Sequence, residues 1–190
     1  MKTATKFGIQ AVVFTLIVTA ASSSAFAQAL TSTPAQTVSL SATLAESLTV
    51  SLSGNSVNFN LTAGSPTNAG STTITATTAW VLKPSRTAVK VYAYFADATA
   101  ALTDGTTNIP SSAFFIADNG GASTAVNQTI AGFGSANGAL QLGATTTITA
   151  ANRSSNRTDA LAFNLNLSTI PQLPASTYNG TLNIQAQATP

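Results

Sequence analysis

The sequence predicts an all-β protein built as an antiparallel β-sandwich, and three observations carry that prediction. Apolar residues recur at every second position over several short stretches, which is the period of a strand with one buried face. No stretch after residue 27 has apolar residues at the three-and-four spacing of an amphipathic helix. Runs of Gly, Pro, Asn and Ser separate the alternating stretches, as turns between strands require.

The alternation defines the predicted strands in chain order. They cover residues 38–44, 48–52, 57–61, 74–82, 89–95, 161–167 and 178–186. Glu46 interrupts the alternation between the first two stretches, which predicts two strands joined by a bend. The pattern is weaker between residues 96 and 157, where we predict short strands at 113–116 and 146–150 and a loop at 132–138.

The first 27 residues have the organisation of a secretory signal peptide. Two lysines and no acidic residue precede an almost continuously apolar stretch at 7–21, and Ala25-Phe26-Ala27 supplies a small-residue cleavage site. A membrane helix is the alternative, but it needs about 20 apolar residues, and no stop-transfer charge follows. We therefore expect an exported chain, cleaved after Ala27, with an arm at 28–44, a β-sandwich domain at 45–190 and no integral membrane span.

The scarcity of charge excludes whole classes of function. Only 6% of the residues are charged, and the chain has neither His nor Cys. Five basic and five acidic residues follow residue 27, so the net charge there is 5 − 5 = 0. Such a surface has no electrostatic footprint for nucleic acid, and thiolate or imidazole catalysis is impossible. We expect no enzymatic activity and no cofactor. A hydrolase with an acid pair assembled from distant loops is a weak alternative.

Polar residues in the second half of the chain offer two candidate ion sites, each with a simpler interpretation. Asp118 and Asn119 are hard-oxygen ligands suited to calcium, but the two following glycines favour an ordinary turn. Arg153 and Arg157 are candidate polyanion contacts, but two arginines in a polar turn before a strand are more often solvated.

Three aromatic residues are candidates for stacking against a sugar. Trp80 lies in the inward row of its predicted strand, which favours a place in the core. Tyr92 and Tyr94 lie on the polar side of their strand. They are therefore candidate surface-contact residues for a glycan or a protein.

The arm contains a row of alternating apolar residues, Val38, Leu40, Ala42 and Leu44, which admits two interpretations. The row is either the first strand of the chain's own sandwich or a donor strand for another molecule. The residues alone favour the first interpretation.

Motifs near the two ends of the expected mature chain resemble those of the spore-coat-U and Csu-type chaperone–usher pilins of bacteria. Leu48-Thr49-Val50-Ser51 matches the first family motif, with Leu where the family usually has Cys. Val57-Asn58-Phe59 matches the second motif, and residues 174–184 match the closing strand, with Ser176 for Gly and Gly180 for Asp. These motifs cover about a third of the chain after residue 27.

The resemblance implies an incomplete immunoglobulin-like sandwich that lacks one strand and is completed by donor-strand exchange. The arm of a neighbouring subunit, through Val38, Leu40, Ala42 and Leu44, would fill the gap by β-strand addition. The implied function is that of a structural subunit of a fimbria or surface coat, with a role in adhesion or biofilm. Implied partners are identical or sister subunits, a periplasmic chaperone and an outer-membrane usher. The alternative is a self-contained secreted sandwich that binds a glycan or a protein.

Overall fold

A computed structural model describes residues 33–190, and all of its strands lie in the unit formed by residues 43–190. In chain order the strands are β1 (Ser47–Leu52), β2 (Asn68–Ala69), β3 (Ile74–Val81), β4 (Ala88–Tyr94), β5 (Leu102–Thr103), β6 (Asn108–Ile109), β7 (Phe114–Asp118), β8 (Thr124–Ala125), β9 (Ala139–Thr147), β10 (Ser154–Leu165) and β11 (Asn183–Thr189). A 3-10 turn at Ser111–Ala113 precedes β7. No helix within residues 33–190 is long and apolar enough to cross a membrane. The predicted signal peptide at 1–27 and the first part of the predicted arm, 28–32, lie outside the described residues.

Two sheets with antiparallel pairing form the sandwich. The first sheet has the order β1-β3-β10-β7-β8, with β2 also paired to β10, and the second has the order β11-β4-β9. The strands β5 and β6 form a separate hairpin. The chain therefore has the predicted all-β, antiparallel sandwich fold.

The core lies between the inward-facing rows of the two sheets, as period-two alternation requires. The first sheet contributes Ile74, Ala76, Leu161, Phe163 and Leu165, and the second contributes Val91, Ala93, Leu140 and Leu142, all of them buried. Trp80 is 3% exposed, and its indole Nε1 donates a hydrogen bond to the carbonyl oxygen of Asn152 at 2.8 Å. This confirms the core interpretation of Trp80, because a buried indole N–H needs an acceptor.

Strong alternation located the central strands correctly. The predicted strands at 48–52, 74–82, 89–95 and 161–167 correspond to β1, β3, β4 and β10, and the predicted loop at 132–138 has no strand. The predicted strand at 113–116 is β7, displaced by one residue at its start. Glu46 forms an ion pair with Arg86 at 2.9 Å immediately before β1 begins, but the predicted bend between two strands is wrong, because no strand precedes Glu46 within the described residues.

Weaker or unpartnered stretches were predicted less well. The predicted strand at 146–150 is wrong, because β9 begins at Ala139 and ends at Thr147. No strand forms at 38–44. Residues 57–61 and 178–182 also lack regular strand structure and form only single bridges, Phe59 with Gly70 and Asn179 with Thr103.

Candidate functional site

An open groove of about 940 Å³ lies along one side of the sandwich and is lined by both sheets. Two segments that lack regular strand pairing, 54–61 and 173–182, line it together with the start of β11. Core residues reach it from within: Ile74, Phe95, Leu102, Phe114, Phe163 and Leu165. The groove thus reaches down to the hydrophobic core of residues 43–190, whose side chains form its floor and are themselves almost fully buried.

The first lining segment is attached to the first sheet. Val57, Phe59 and Leu61 alternate along it and are half-buried against the core. The N–H of Ser71 donates to the carbonyl oxygen of Asn58 at 2.8 Å, which ties the segment to the chain beside β2. A Cβ at Gly70 would lie 2.6 Å from the Val57 side chain, so a glycine is needed for this close approach.

The second lining segment is attached to the hairpin of β5 and β6 and continues into β11. The backbones of Thr103 and Asn179 exchange two hydrogen bonds, both of 2.9 Å. A Cβ at Gly180 would clash with the carbonyl oxygen of Ala101, so only glycine allows the segment to pack there. Tyr178, Leu182 and Ile184 are half-buried along this side of the groove.

The strand β11 is an edge strand of the second sheet. It pairs with β4 along one side, and no other strand of the described residues pairs with it. An edge strand presents a row of unpaired N–H and C=O groups, which is a template for a further strand. The groove therefore combines half-buried apolar side chains with a hydrogen-bonding edge that no other strand of the described residues uses.

The predicted donor residues belong to a part of the chain without secondary structure. Residues 33–46 are assigned to no strand, so the prediction of a strand at 38–44 is wrong for the chain as described here. Val38, Leu40 and Leu44 are 80%, 91% and 84% exposed, and Ala42 is exposed as well. Three large apolar side chains at alternate positions are thus in contact with water.

The prediction that Tyr92 is available for surface contacts is corrected by its burial. Its side chain lies on the outer face of β4, as alternation predicts, but Phe133 covers it with ring centroids 4.3 Å apart, and Tyr92 is only 5% exposed. Tyr94 stays half-exposed, and its hydroxyl lies 3.1 Å from the Oε1 of Gln185, to which it donates a hydrogen bond. The loop at 132–138 supplies the covering ring, and alternation within β4 gives no sign of such a cover.

The prediction of a solvated Arg157 is wrong. Its guanidinium forms an ion pair with Asp159 at 2.8 Å, and the two side chains are 15% and 4% exposed. It also donates to the carbonyl oxygens of Leu142 at 3.0 Å and Ala144 at 2.7 Å, and so connects β10 to β9 of the other sheet. For Arg153, just before β10, the Nε atom is buried without a hydrogen-bond partner among the described residues.

The structure places Asp118 beside this ion pair and does not complete a calcium site. Burial, and secondarily the charge of Asp159, raise the pKa of Asp118, while the charge of Arg157 opposes the rise. No cluster of three or more acidic side chains that could hold a metal ion occurs within residues 33–190. Asn119 adopts a positive φ of 50°, and the N–H of Gly121 donates to the carbonyl oxygen of Asp118 at 2.8 Å, as in the predicted turn.

The groove residues could have been found in part from the sequence. The alternation at 57–61 and 178–186 marks most of the apolar groove residues, but the same pattern is expected of an ordinary strand with one buried face. A comparison of the chain with family models, with curated proteins and with solved structures finds no match.

Proposed function

We propose that the chain is an exported structural subunit that polymerises by β-strand addition, the arm of one copy filling the groove of the next. One observation carries this proposal: a groove with hydrophobic core residues along its floor lies beside an edge of β11 that no other strand of the described residues pairs with. In this proposal the sandwich is an incomplete immunoglobulin-like fold that gains its missing strand from a neighbour. The cell surface or an extracellular fibre is its site of action, with a role in adhesion or biofilm.

The chemistry of the arm is complementary to that of the groove. Burying each of Val38, Leu40 and Leu44 would contribute roughly 1.5–3 kcal/mol, and each hydrogen bond to β11 about 0.5–1.5 kcal/mol. Ordering the arm costs about 1–2 kcal/mol per residue of backbone. Both the apolar row and the hydrogen-bond ladder are therefore needed for a long-lived joint.

The direction of the strands favours insertion into another copy. The strand β1 runs antiparallel to β3, and β11 runs antiparallel to β4. The chain reverses between β3 and β4 in a turn closed by the Arg86 N–H and the Lys83 carbonyl oxygen at 3.1 Å. It follows that β1 and β11 run in opposite directions.

A donor strand antiparallel to β11, the commoner and more stable pairing, must therefore run in the same direction as β1. If residues 38–44 of the same chain lay beside β11 in that direction, residue 44 would lie near the far end of β1. The chain would then have to run back about 23 Å, the length of the seven-residue row, to reach the start of β1. Only residues 45 and 46 separate the row from β1, and they span at most about 11 Å. The arm of a second copy has no such restriction, and a head-to-tail contact that does not close produces a fibre.

The partners implied by the resemblance belong to the same proposal. A periplasmic chaperone would cover the groove before assembly, since an exposed apolar edge promotes aggregation. An outer-membrane usher would deliver the subunits to the cell surface. Identical or sister subunits would form the polymer.

The experiment compares two double variants of the arm in the full-length chain. Leu40→Asn/Leu44→Asn removes apolar side chains from the row, whereas Ser39→Asn/Thr43→Asn changes the opposite face of the same segment. We expect fibres, counted by electron microscopy, to be lost at least tenfold in the first variant and retained in the second. Equal assembly by the two variants would contradict the proposal.

A further inference from the structure

A second opening of the sandwich lies on the side opposite the groove. The groove lies at the edges formed by β1 and β11, whereas β8 and β9 are the edge strands at the other side of the two sheets. A crevice of about 370 Å³ lies between them and is lined by residues of β7, β8 and β9. This volume is near the lower end of the range for small-ligand pockets, about 300–1,000 Å³.

The crevice has an apolar floor and one charged group. Ile116, Leu140 and Leu142 form the floor, and all three are buried. Asp118 supplies the charge, and because it is in phase with Ile116 along β7, its side chain points into the sandwich. The uncharged polar residues that line the crevice are Thr124, Gln128 and Gln141.

The carboxyl group of Asp118 lacks a hydrogen-bond donor. Its Oδ1 atom is buried without a partner among the described residues. The guanidinium of Arg157 lies nearby, since a Cβ at Gly143 would be 2.6 Å from Oδ2 of Asp118 and 3.0 Å from Nη2 of Arg157. All five N–H groups of that guanidinium are already donated elsewhere, to atoms of Asp159, Leu142, Ala144 and Thr146. Arg157 therefore has no donor left for Asp118.

The charges at the crevice do not balance. The charged groups that act on Asp118 are Asp159 and Arg157 of β10, so the three together carry a net charge of 1 − 2 = −1. The strands β8 and β9 contribute no charged residue. Burial and the charge of Asp159 raise the pKa of Asp118, because both disfavour its ionised form. A single positive group in the crevice would complement this charge.

We infer that the crevice binds a small aliphatic primary amine in its ammonium form. The ammonium donates hydrogen bonds to Asp118, whose carboxyl group can turn either oxygen to the ligand because the terminal torsion of Asp is broad. The aliphatic chain covers the apolar floor. Calcium fits poorly, because it takes several oxygen ligands and Asp118 is the only carboxylate that lines the crevice. The inference does not rest on the proposed polymerisation, since no residue lines both the crevice and the groove.

The test titrates n-butylammonium chloride against the full-length chain at pH 7 and constant ionic strength. Saturation-transfer NMR observes the ligand, so the measurement works alike for monomers and fibres. We expect saturable binding of butylammonium. The neutral probe 1-butanol has the same aliphatic chain and should bind more weakly by about tenfold or more, because it cannot form a charge-assisted hydrogen bond.

Two variants locate the bound amine. Asp118→Asn removes the charge with little change of shape, and Ala122→Phe fills the crevice from an exposed position that lines it. Each should weaken binding of butylammonium by about tenfold or more. A matched control, Asp97→Asn, removes an exposed carboxylate outside the crevice and should bind as the unmodified chain does.

Four results would overturn the inference. The first is an absence of saturable binding, and the second is equal binding of 1-butanol, which would make the crevice a merely apolar site. The third is unchanged binding in either Asp118→Asn or Ala122→Phe. The fourth is an equal loss of binding in Asp97→Asn, which would indicate a general attraction of the cation to carboxylates.

Discussion

At the scale of single residues, the ion pair of Arg157 and Asp159 is the most deeply buried charged contact of the described residues. Asp159 is 2% exposed, and Arg157 connects it to backbone carbonyl oxygens of the opposite sheet. Arg157→Ala would leave a buried carboxylate without its partner. We expect a loss of about 3–5 kcal/mol in the free energy of unfolding, measured by denaturant titration.

A double variant separates two effects on the free energy of unfolding: the net contribution of the ion pair, and the cost of leaving one buried charge without its partner. Arg157→Met/Asp159→Leu replaces both partners by apolar side chains and should cost less than Arg157→Ala, because no buried charge remains. A double variant less stable than Arg157→Ala would show that this explanation of the ion pair is wrong.

The carboxyl group of Asp118 should make stability depend on pH. Burial and the charge of Asp159 raise its pKa, and Arg157 only partly compensates. The folded state thus binds the proton more tightly than the unfolded state. The resulting stability is complete below the unfolded pKa and is lost as the pH rises through the raised folded pKa.

Asp118→Asn should therefore raise the melting temperature at pH 7 and reduce the dependence of stability on pH in the acidic range. Calorimetry of the variant and of the unmodified chain from pH 3 to pH 7 measures both effects. A melting temperature at pH 7 that falls in Asp118→Asn would contradict this assignment.

The burial of Arg157 and Asp159 could have been predicted from the sequence. Arg157 and Asp159 are in phase with Leu161, Phe163 and Leu165, so the alternation of β10 already put them on the inner face. Charge alone suggested solvent exposure. The partner carbonyl oxygens come from β9, and this contact across the sandwich is not visible in sequence.

At the scale of elements, alternation predicted strands more widely than the chain forms them. Residues 57–61 and 178–182 have the side-chain pattern of strands, yet each makes only one bridge. A strand needs a partner backbone as well as a pattern, and both segments line the groove where a partner is absent from the described residues. The sequence therefore indicated which segments are suited to strand pairing, but not whether the partner belongs to the same chain.

A proline in the arm tests the hydrogen-bond ladder separately from the apolar row. Ser41 lies between Leu40 and Ala42, and Ser41→Pro removes an N–H without changing any apolar residue. Because residues 33–46 form no strand, the melting temperature of the monomer should stay within about 1 °C. We expect fibre formation, followed by light scattering, to fall at least tenfold.

The matched control is Gln36→Pro, which lies before the apolar row. It should assemble at close to the normal rate. Normal assembly by both Ser41→Pro and Ala42→Pro, whose N–H groups point to opposite edges of an extended strand, would show that main-chain pairing of the arm is not required.

At the scale of the whole molecule, the sequence predicted the all-β fold class and the central strands, but it did not predict how the strands at the edges of the sheets are paired. The inward rows of β3, β4 and β10 follow from composition and period, because each is surrounded by apolar partners. The groove lies where β11 has no second strand beside it within the described residues. Alternation shows which residues suit a strand, but it does not show which strands lie next to each other in a sheet. The resemblance of the terminal motifs suggested a missing strand, and the open groove beside β11 is where we propose that it inserts.

The most direct measurement uses the absence of native cysteine. Leu182→Cys on the groove is mixed with chains that carry one cysteine at each arm position from 38 to 44 in turn. Each mixture is oxidised, and the molecular masses of the products are measured under denaturing conditions without a reducing agent. We predict disulfide-linked pairs of chains at one or two neighbouring positions of the row 38, 40, 42 and 44, because a disulfide joins Cα atoms less than about 7 Å apart, with little product at 39, 41 and 43. Cross-linking that ignores this alternation, or no linked pairs at any arm position, would contradict the insertion of one chain's arm into another's groove.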